Sequence, residues 1–255
     1  MSEKIGDIKE KFKNCKDEEL ADFIETYGSD PRSGVISLCS QACKRMADIE
    51  KEYTRLEEIS KYEREYGQYG LICGIDEVRR GPLAGPVVAG AVILPKDCKI
   101  KYINDSKKLS EKKREKLFPL ISEAAVDMSI VSVGPEVIDE INILNATKQA
   151  MQQAIMSLKV KPDVVLVDAV QLDIPYKTHA IIKGDSLSYS IGCASILAKV
   201  TRDAYMIKAD EIYPDYGFRS NKGYGSAKHI AALKEKGATP IHRKSFIKNF
   251  VGDNK

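Results

Sequence analysis

Between residues 45 and 66 the apolar side chains of Met46, Ile49, Tyr53, Leu56, Ile59, Tyr62 and Tyr66 recur every three or four positions among dense charges. That spacing places them on one stripe of an α-helix. Two shorter stretches with the same periodicity precede it, at residues 5–14 and 18–27, and Asp30-Pro31 marks a break before the long helix, because proline disfavours helical backbone in the residue before it. Residues 1–69 are therefore expected to form a small all-helical extension whose long helix packs on its shorter partners or docks a protein or nucleic acid. After Gly67 and Gly70 the pattern changes. Short runs rich in β-branched residues at 71–77, 87–94, 126–133, 164–170 and 179–182 predict strands, and periodic stretches at 110–124, 135–158, 189–212 and 227–236 predict helices. Successive strands followed by β–α alternation predict an α/β domain over residues 70–255, a mixed sheet flanked by helices.

The 255 residues, 43% of them apolar, suffice for one sizeable core and a smaller appendage. A net charge of +3 looks unremarkable until it is divided along the chain. Residues 1–70 carry 12 Lys and Arg against 16 Asp and Glu, whereas residues 71–255 carry 28 against 21, with nine basic and two acidic side chains in the last 40. A basic excess concentrated in the second part favours a polyanionic partner, and the acidic first part is a poor grip for one. Six cysteines form no C-x-x-C pair and lack histidines spaced to complete a zinc site, so they are expected to be reduced thiols. The longest near-apolar run, residues 82–95, is broken by glycine and proline and is shorter than the roughly 20 residues of a membrane span. A cytoplasmic protein with no membrane partner is expected.

The chemistry concentrates in Gly74-Ile75-Asp76-Glu77-Val78-Arg79-Arg80-Gly81. Two adjacent acids close an apolar run, and two arginines and a glycine-proline-rich turn follow, so anionic metal ligands stand beside groups that meet a phosphodiester. Asp168 ends the run Val164-Val165-Leu166-Val167, and Asp185 follows Ile181-Ile182-Lys183-Gly184. Acids at the ends of neighbouring strands converge on one sheet edge, where their repulsion is relieved by hard divalent cations. Two Mg²⁺ or Mn²⁺ ions would supply what phosphodiester hydrolysis needs. Neighbouring strand residues point to opposite faces, so Asp76 and Glu77 are expected to share a site only where the strand ends or bulges.

Around these acids the chain resembles the bacterial ribonuclease HII family. The resemblance runs through residues 70–250 in Gly74-Ile75-Asp76-Glu77-Val78, Gly81-Pro82-Leu83-Ala84-Gly85-Pro86-Val87, Asn104-Asp105-Ser106-Lys107-Lys108-Leu109, the stretch from Ala194 to Asp203, Asn221-Lys222-Gly223-Tyr224-Gly225 and His242-Arg243-Lys244-Ser245-Phe246. It implies a ribonuclease H-like fold and an endonuclease that cuts the RNA strand of RNA–DNA hybrids and incises at single ribonucleotides in duplex DNA, leaving 3′-hydroxyl and 5′-phosphate ends. By position it implies that Asp76, Glu77, Asp168 and Asp185 are the metal-binding catalytic acids. It likewise implies that Tyr224 stacks on the sugar after the ribonucleotide, and that Lys107, Lys199, Arg202 and Lys222 meet phosphates.

The chain departs from this family at one place. The family senses the ribose 2′-hydroxyl through the backbone of a Gly-Arg-Gly triplet, and the residues here are Arg79-Arg80-Gly81. A positive φ at the first position would strain Arg79 by on the order of 1 kcal/mol, a need for close approach would set its side chain against the ribose, and an outward turn would add a phosphate contact. Impaired or relaxed ribonucleotide discrimination is expected. Two alternatives follow: a catalytically impaired hybrid-binding protein, and a ribonuclease HIII-like enzyme, against which the helical pattern of the first 66 residues argues. No G-x-x-x-x-G-K-[ST] loop supports a nucleotide-driven enzyme.

Overall fold

The computed structural model describes residues 3–251. The chain divides into two compact units, Met1–Glu57 and Glu58–Lys255. The first is built from α1 (Ile5–Asn14), α2 (Leu20–Tyr27) and most of α3 (Ser33–Ile59), around a core of Ile8, Leu20, Phe23, Val35, Leu38 and Ala42. Its helices thus bury an apolar stripe on one another. The long helix differs from its expected span of 45–66 at both ends. It begins at Ser33, because Val35, Leu38 and Ala42 extend the three-to-four spacing back toward Pro31, and it stops at Ile59. Ser60 takes non-helical backbone, and α4 (Lys61–Tyr66) follows as a separate helix.

The second unit is a five-stranded mixed sheet in the order β3-β2-β1-β4-β5. Strands β1 (Ile72–Val78), β2 (Val87–Ile93) and β3 (Asp127–Val133) run as an antiparallel meander. Strands β4 (Val164–Asp168) and β5 (Lys177–Ile181) add in parallel beside β1. Helix α5 (Glu111–Ala124) lies in the β2–β3 connection, and α6 (Pro135–Met156) carries the chain from β3 across the sheet to β4. Helix α6 packs Ala146, Ala150, Met151 and Ala154 against Cys73 and Ile75 of β1 and Ala89 and Ala91 of β2. Its expected continuous span is interrupted at Asn142, whose φ of 66° leaves the helix and whose side chain accepts from the Asn145 amide at 3.1 Å, the way an N-cap restarts a helix.

On the other face lies α8 (Tyr189–Ile212), which follows the short α7 (Gly184–Leu187). Every residue of α8 from Tyr189 to Lys199 is buried, and the small side chains of Gly192, Cys193, Ala194, Ser195 and Ala198 let it lie close to the sheet. The sheet answers with glycines: a Cβ at Gly74 would come 2.3 Å from the Ser190 carbonyl carbon, and one at Gly90 would come 2.6 Å from the Ala194 carbonyl oxygen. The N-terminus of α8 is capped by Ser188 and by Glu63 of α4, whose Oε1 accepts from Ser188 Oγ at 2.5 Å and from the Ser190 amide at 2.9 Å, satisfying donors that a helix leaves open. Beyond α8 the chain closes with α9 (Phe218–Asn221), α10 (Ala227–Lys236) and α11 (Lys244–Ile247).

The close approach of α8 is testable. Gly74→Ala is expected to lower unfolding free energy by about 2 kcal/mol, because the clash is with backbone. Gly67→Ala, where a Cβ would meet nothing within 4 Å, should change it by less than about 0.5 kcal/mol. Equal urea midpoints for the two variants would contradict this packing.

Candidate active site

Asp76 lies near the end of β1 and is buried, with 3% of its surface exposed. It shares the α8 face with Gly74, and its Oδ1 accepts from the Glu77 amide at 2.7 Å. Asp168 is the last residue of β4, the parallel neighbour of β1, and accepts the Gly184 amide at 2.7 Å. Asp185 is in α7, directly after β5, and is also buried. The β1-β4-β5 order therefore brings three acids from distant parts of the sequence to one sheet edge, with carboxylate oxygens all within 4.8 Å of one another.

Glu77 stands outside that trio. The expected end or bulge of the strand at the Asp-Glu pair does not occur: Asp76 pairs with Gly90, Glu77 with Ala89 and Val78 with Val88 in unbroken register. Glu77 thus points away from Asp76, as strand alternation requires, and lines a cleft of 520 Å³ together with Asp168, Arg79, Arg80, Gly81, Lys107 and Tyr224. Its Oε2 is buried and has no hydrogen-bond partner among the described residues.

The acids repel. Burial, then the charges of Glu77 and Asp168, raises the Asp76 carboxyl well above the ordinary carboxylate range. Burial also lifts Glu77 to about 7, against the pull of the Arg80 guanidinium 3.8 Å away. Asp168 is raised mainly by burial, opposed by its bond from the Gly184 amide. An all-oxygen donor set, an orphaned buried carboxylate oxygen and uncompensated negative charge fit hard divalent cations.

The turn after β1 is shaped by a buried arginine. Arg243 donates to the carbonyls of Arg79 at 2.9 Å, Arg80 at 2.8 Å and Gly85 at 2.9 Å. With their carbonyls held, the amides of residues 79–81 make no hydrogen bond among the described residues. Arg79 takes φ +73°, so of the alternatives open at this position the strained backbone is the one adopted, at a cost on the order of 1 kcal/mol. Its side chain turns inward, not outward: Nη2 lies 3.2 Å from Asp203 Oδ1, and the guanidinium lies 4.9 Å from the centre of the Tyr224 ring.

The basic residues separate into two groups. Lys107 is 75% exposed in its side chain, reaches Asp185 at 3.0 Å and lines the cleft, as does Arg80. Lys199 also lines it but is buried in an ion pair with Asp203, while burial and then the neighbouring arginines press its pKa below the usual lysine value. Arg202 and Lys222, expected to meet phosphates, do not reach the cleft. Arg202 has no exposed surface, and its guanidinium is spent on the carbonyls of Ala84, Pro86 and Lys222. Lys222 is bound to Glu111 and the Arg219 carbonyl. A buried guanidinium needs all its donors satisfied, and helix position in the sequence does not reveal that demand.

Four further residues support the cleft without an assigned role in the motifs: Asp203, Arg243, His229 and His242. The histidines form a directed chain. His242 Nδ1 accepts from the Thr239 amide at 2.9 Å, so its Nε2 carries the proton toward His229 Nε2 at 2.9 Å, which leaves His229 Nδ1 to donate to the Tyr224 carbonyl at 2.8 Å. Burial lowers both pKa values, that of His242 to about 4, which keeps the pair neutral. The available signal for Arg243 and His242 is their place in the stretch His242-Arg243-Lys244-Ser245-Phe246 that carries the resemblance; their partners are not visible in it.

Two family models match the chain: ribonuclease HII over residues 73–249, and the ribonuclease HII N-terminal domain over residues 4–67. A ribonuclease HII of Lachnoclostridium phytofermentans is 51% identical over 252 residues, covering 98% of this chain and 99% of the relative. One from Clostridioides difficile is 50% identical over 250 residues, covering 97% and 98%. The crystal structure of ribonuclease H2 from Pyrococcus horikoshii superposes with a TM-score of 0.61 at 28% identity, covering 71% of this chain and 96% of that one.

The electrostatics of the acids predict a pH effect. A carboxyl raised in the folded state binds its proton more tightly there than in the unfolded chain, so the stability Glu77 contributes is fully present below 4.5 and is lost as pH rises to about 7. Metal-free protein should lose thermal stability across that window. Glu77→Gln should flatten the loss, and Mn²⁺ should reverse it at neutral pH. Superimposable Tm–pH profiles for the two proteins would contradict the assignment.

Proposed function

The chain belongs to the ribonuclease HII family and is an enzyme of the ribonuclease H type, and from that premise we propose that it incises duplex DNA at single ribonucleotides as well as cutting the RNA strand of RNA–DNA hybrids. The observation that carries this reading is the convergence of Asp76, Asp168 and Asp185 at the sheet edge beside a cleft lined with cations. Asp76, Asp168 and Asp185, with Glu77 across the cleft, are the residues that would hold two divalent cations, Mn²⁺ or Mg²⁺. When bound, such a pair supplies an activated water and offsets charge on the phosphate and the leaving 3′-oxygen; the products are then a 3′-hydroxyl and a 5′-phosphate.

The chain's own groups orient the substrate. The amides of residues 79–81, unengaged among the described residues, are available to a hydroxyl or a phosphate oxygen, since consecutive free amides next to a left-handed residue can form an anion-binding concavity. Lys107 and Arg80 counter phosphate charge along the cleft, with Lys199 lining it from its ion pair with Asp203. Tyr224, 42% exposed, offers an aromatic face to a sugar or base. The HIII-like alternative finds no support, because the N-terminal segment matches the ribonuclease HII model. Among the described residues no helix is long and apolar enough to cross a membrane.

With Mn²⁺ and labelled substrates, the protein is expected to cut a hybrid and to nick a duplex bearing one ribonucleotide. Asp76→Asn should lower kcat by roughly a thousandfold or more, as removal of a metal ligand from hydrolytic chemistry does, while still shifting the hybrid in a binding assay. Retained turnover in that variant would sink the assignment of the acids. Cutting of the hybrid alone would restrict the activity to runs of RNA.

A further inference from the structure

Arg79 takes a backbone conformation that favours glycine at the turn beside the carboxylates, and its side chain has a defined place. The guanidinium is pinned at one end by Asp203, at 3.2 Å, and faces the Tyr224 ring at 4.9 Å; its Nε is buried without a hydrogen-bond partner among the described residues. Only 17% of the Arg79 side chain is exposed, against 42% of Tyr224. The guanidinium thus covers one face of a ring that stays exposed, and both residues line the cleft. Asp203 is held in turn by Lys199 and by Arg114 at 3.6 Å, so the anchor of Arg79 is itself fixed. Tyr224 lies between two glycines, Gly223 with φ +85° and Gly225. The histidine chain fixes its carbonyl but leaves the ring to be restrained by what lies behind it.

We propose that Arg79 is a positioning residue that backs the ring of Tyr224 and holds its outer face toward the cleft as a stacking platform for a sugar or base of the bound nucleic acid. This rests on the proposed function of the same cleft. The attraction of a guanidinium for an aromatic face limits the ring's rotation, and a platform ordered before the strand arrives loses less freedom on binding. The strained backbone at φ +73° is the cost of that support. A side chain on the outer face would do the reverse: it would plug the platform, and a substrate would have to displace it.

The test is a double-mutant cycle on Arg79→Gly and Tyr224→Ala, using a labelled duplex with one ribonucleotide and Mn²⁺. Glycine accepts φ +73° without strain, so Arg79→Gly keeps the fold. It is expected to raise KM about tenfold and lower kcat by less than about threefold, and to have no further effect once Tyr224 is alanine. Arg79→Lys, which keeps the charge and loses the planar face, should recover part of the loss. A lower KM in Arg79→Gly would make the side chain a plug and overturn the proposal. So would an undiminished effect in the Tyr224→Ala background. The same cycle on dissociation constants, by fluorescence anisotropy with Ca²⁺ in place of Mn²⁺, separates the two readings. An inactive wild type with non-additive binding would count against the activity and uphold the role of Arg79; an active wild type with additive effects would do the opposite.

Discussion

Three carboxylates with oxygens within 4.8 Å of one another, two of them buried, are a standing electrostatic cost that only protons or cations can relieve. The fold is arranged to keep that cost in place. Helix α8 presses on Gly74 and Gly90, fixing β1 and β2 with Asp76 buried on the same face. The parallel β1-β4-β5 arrangement sets Asp168 beside Asp76, and the immediate turn into α7 returns Asp185. The raised carboxyls of Asp76, Glu77 and Asp168 are one consequence. An appetite for divalent cations is the other, and it is the basis of the chemistry.

A second layer of fixed charge shapes the cleft around the acids. Arg243 and Arg202 are buried completely, which is tolerable only because their donors are spent on backbone carbonyls of the β1–β2 connection. They act as internal braces. Arg243 holds the carbonyls of Arg79 and Arg80 and Arg202 those of Ala84 and Pro86, so two buried arginines set the path of the turn that lines the cleft. Asp203 plays the same part for Lys199, Arg114 and Arg79, gathering cations beside the acids at a density that their mutual repulsion alone would forbid.

Much of this was legible in the sequence, for identifiable reasons. Strand and helix periods located β1, β2, β3, α8 and α10 within a residue or so, because their apolar faces are long and regular. Acids at strand ends pointed to a metal edge, and the sheet order did bring Asp76, Asp168 and Asp185 together. What failed depended on tertiary demand. Arg202 looked like a phosphate ligand because a helical arginine carries no mark of burial, and Lys222 because a loop lysine carries no mark of its partners Glu111 and Arg219. Helix α3 began earlier than expected because Ser33, Gly34, Ser37 and Ser40 are weak helix formers, and the helix there is held by burial of Val35, Leu38 and Ala42 against Ile8 and Phe23. The inward turn of Arg79 depended on Asp203, 124 residues away.

The most direct test of the metal centre is a crystal of the protein soaked with Mn²⁺ and measured at the manganese absorption edge. The account predicts an anomalous peak among the carboxylates of Asp76, Asp168 and Asp185, with Glu77 drawn toward the cations. An ordered site whose three carboxylates attract no manganese, or a peak elsewhere with this edge left empty, would contradict it.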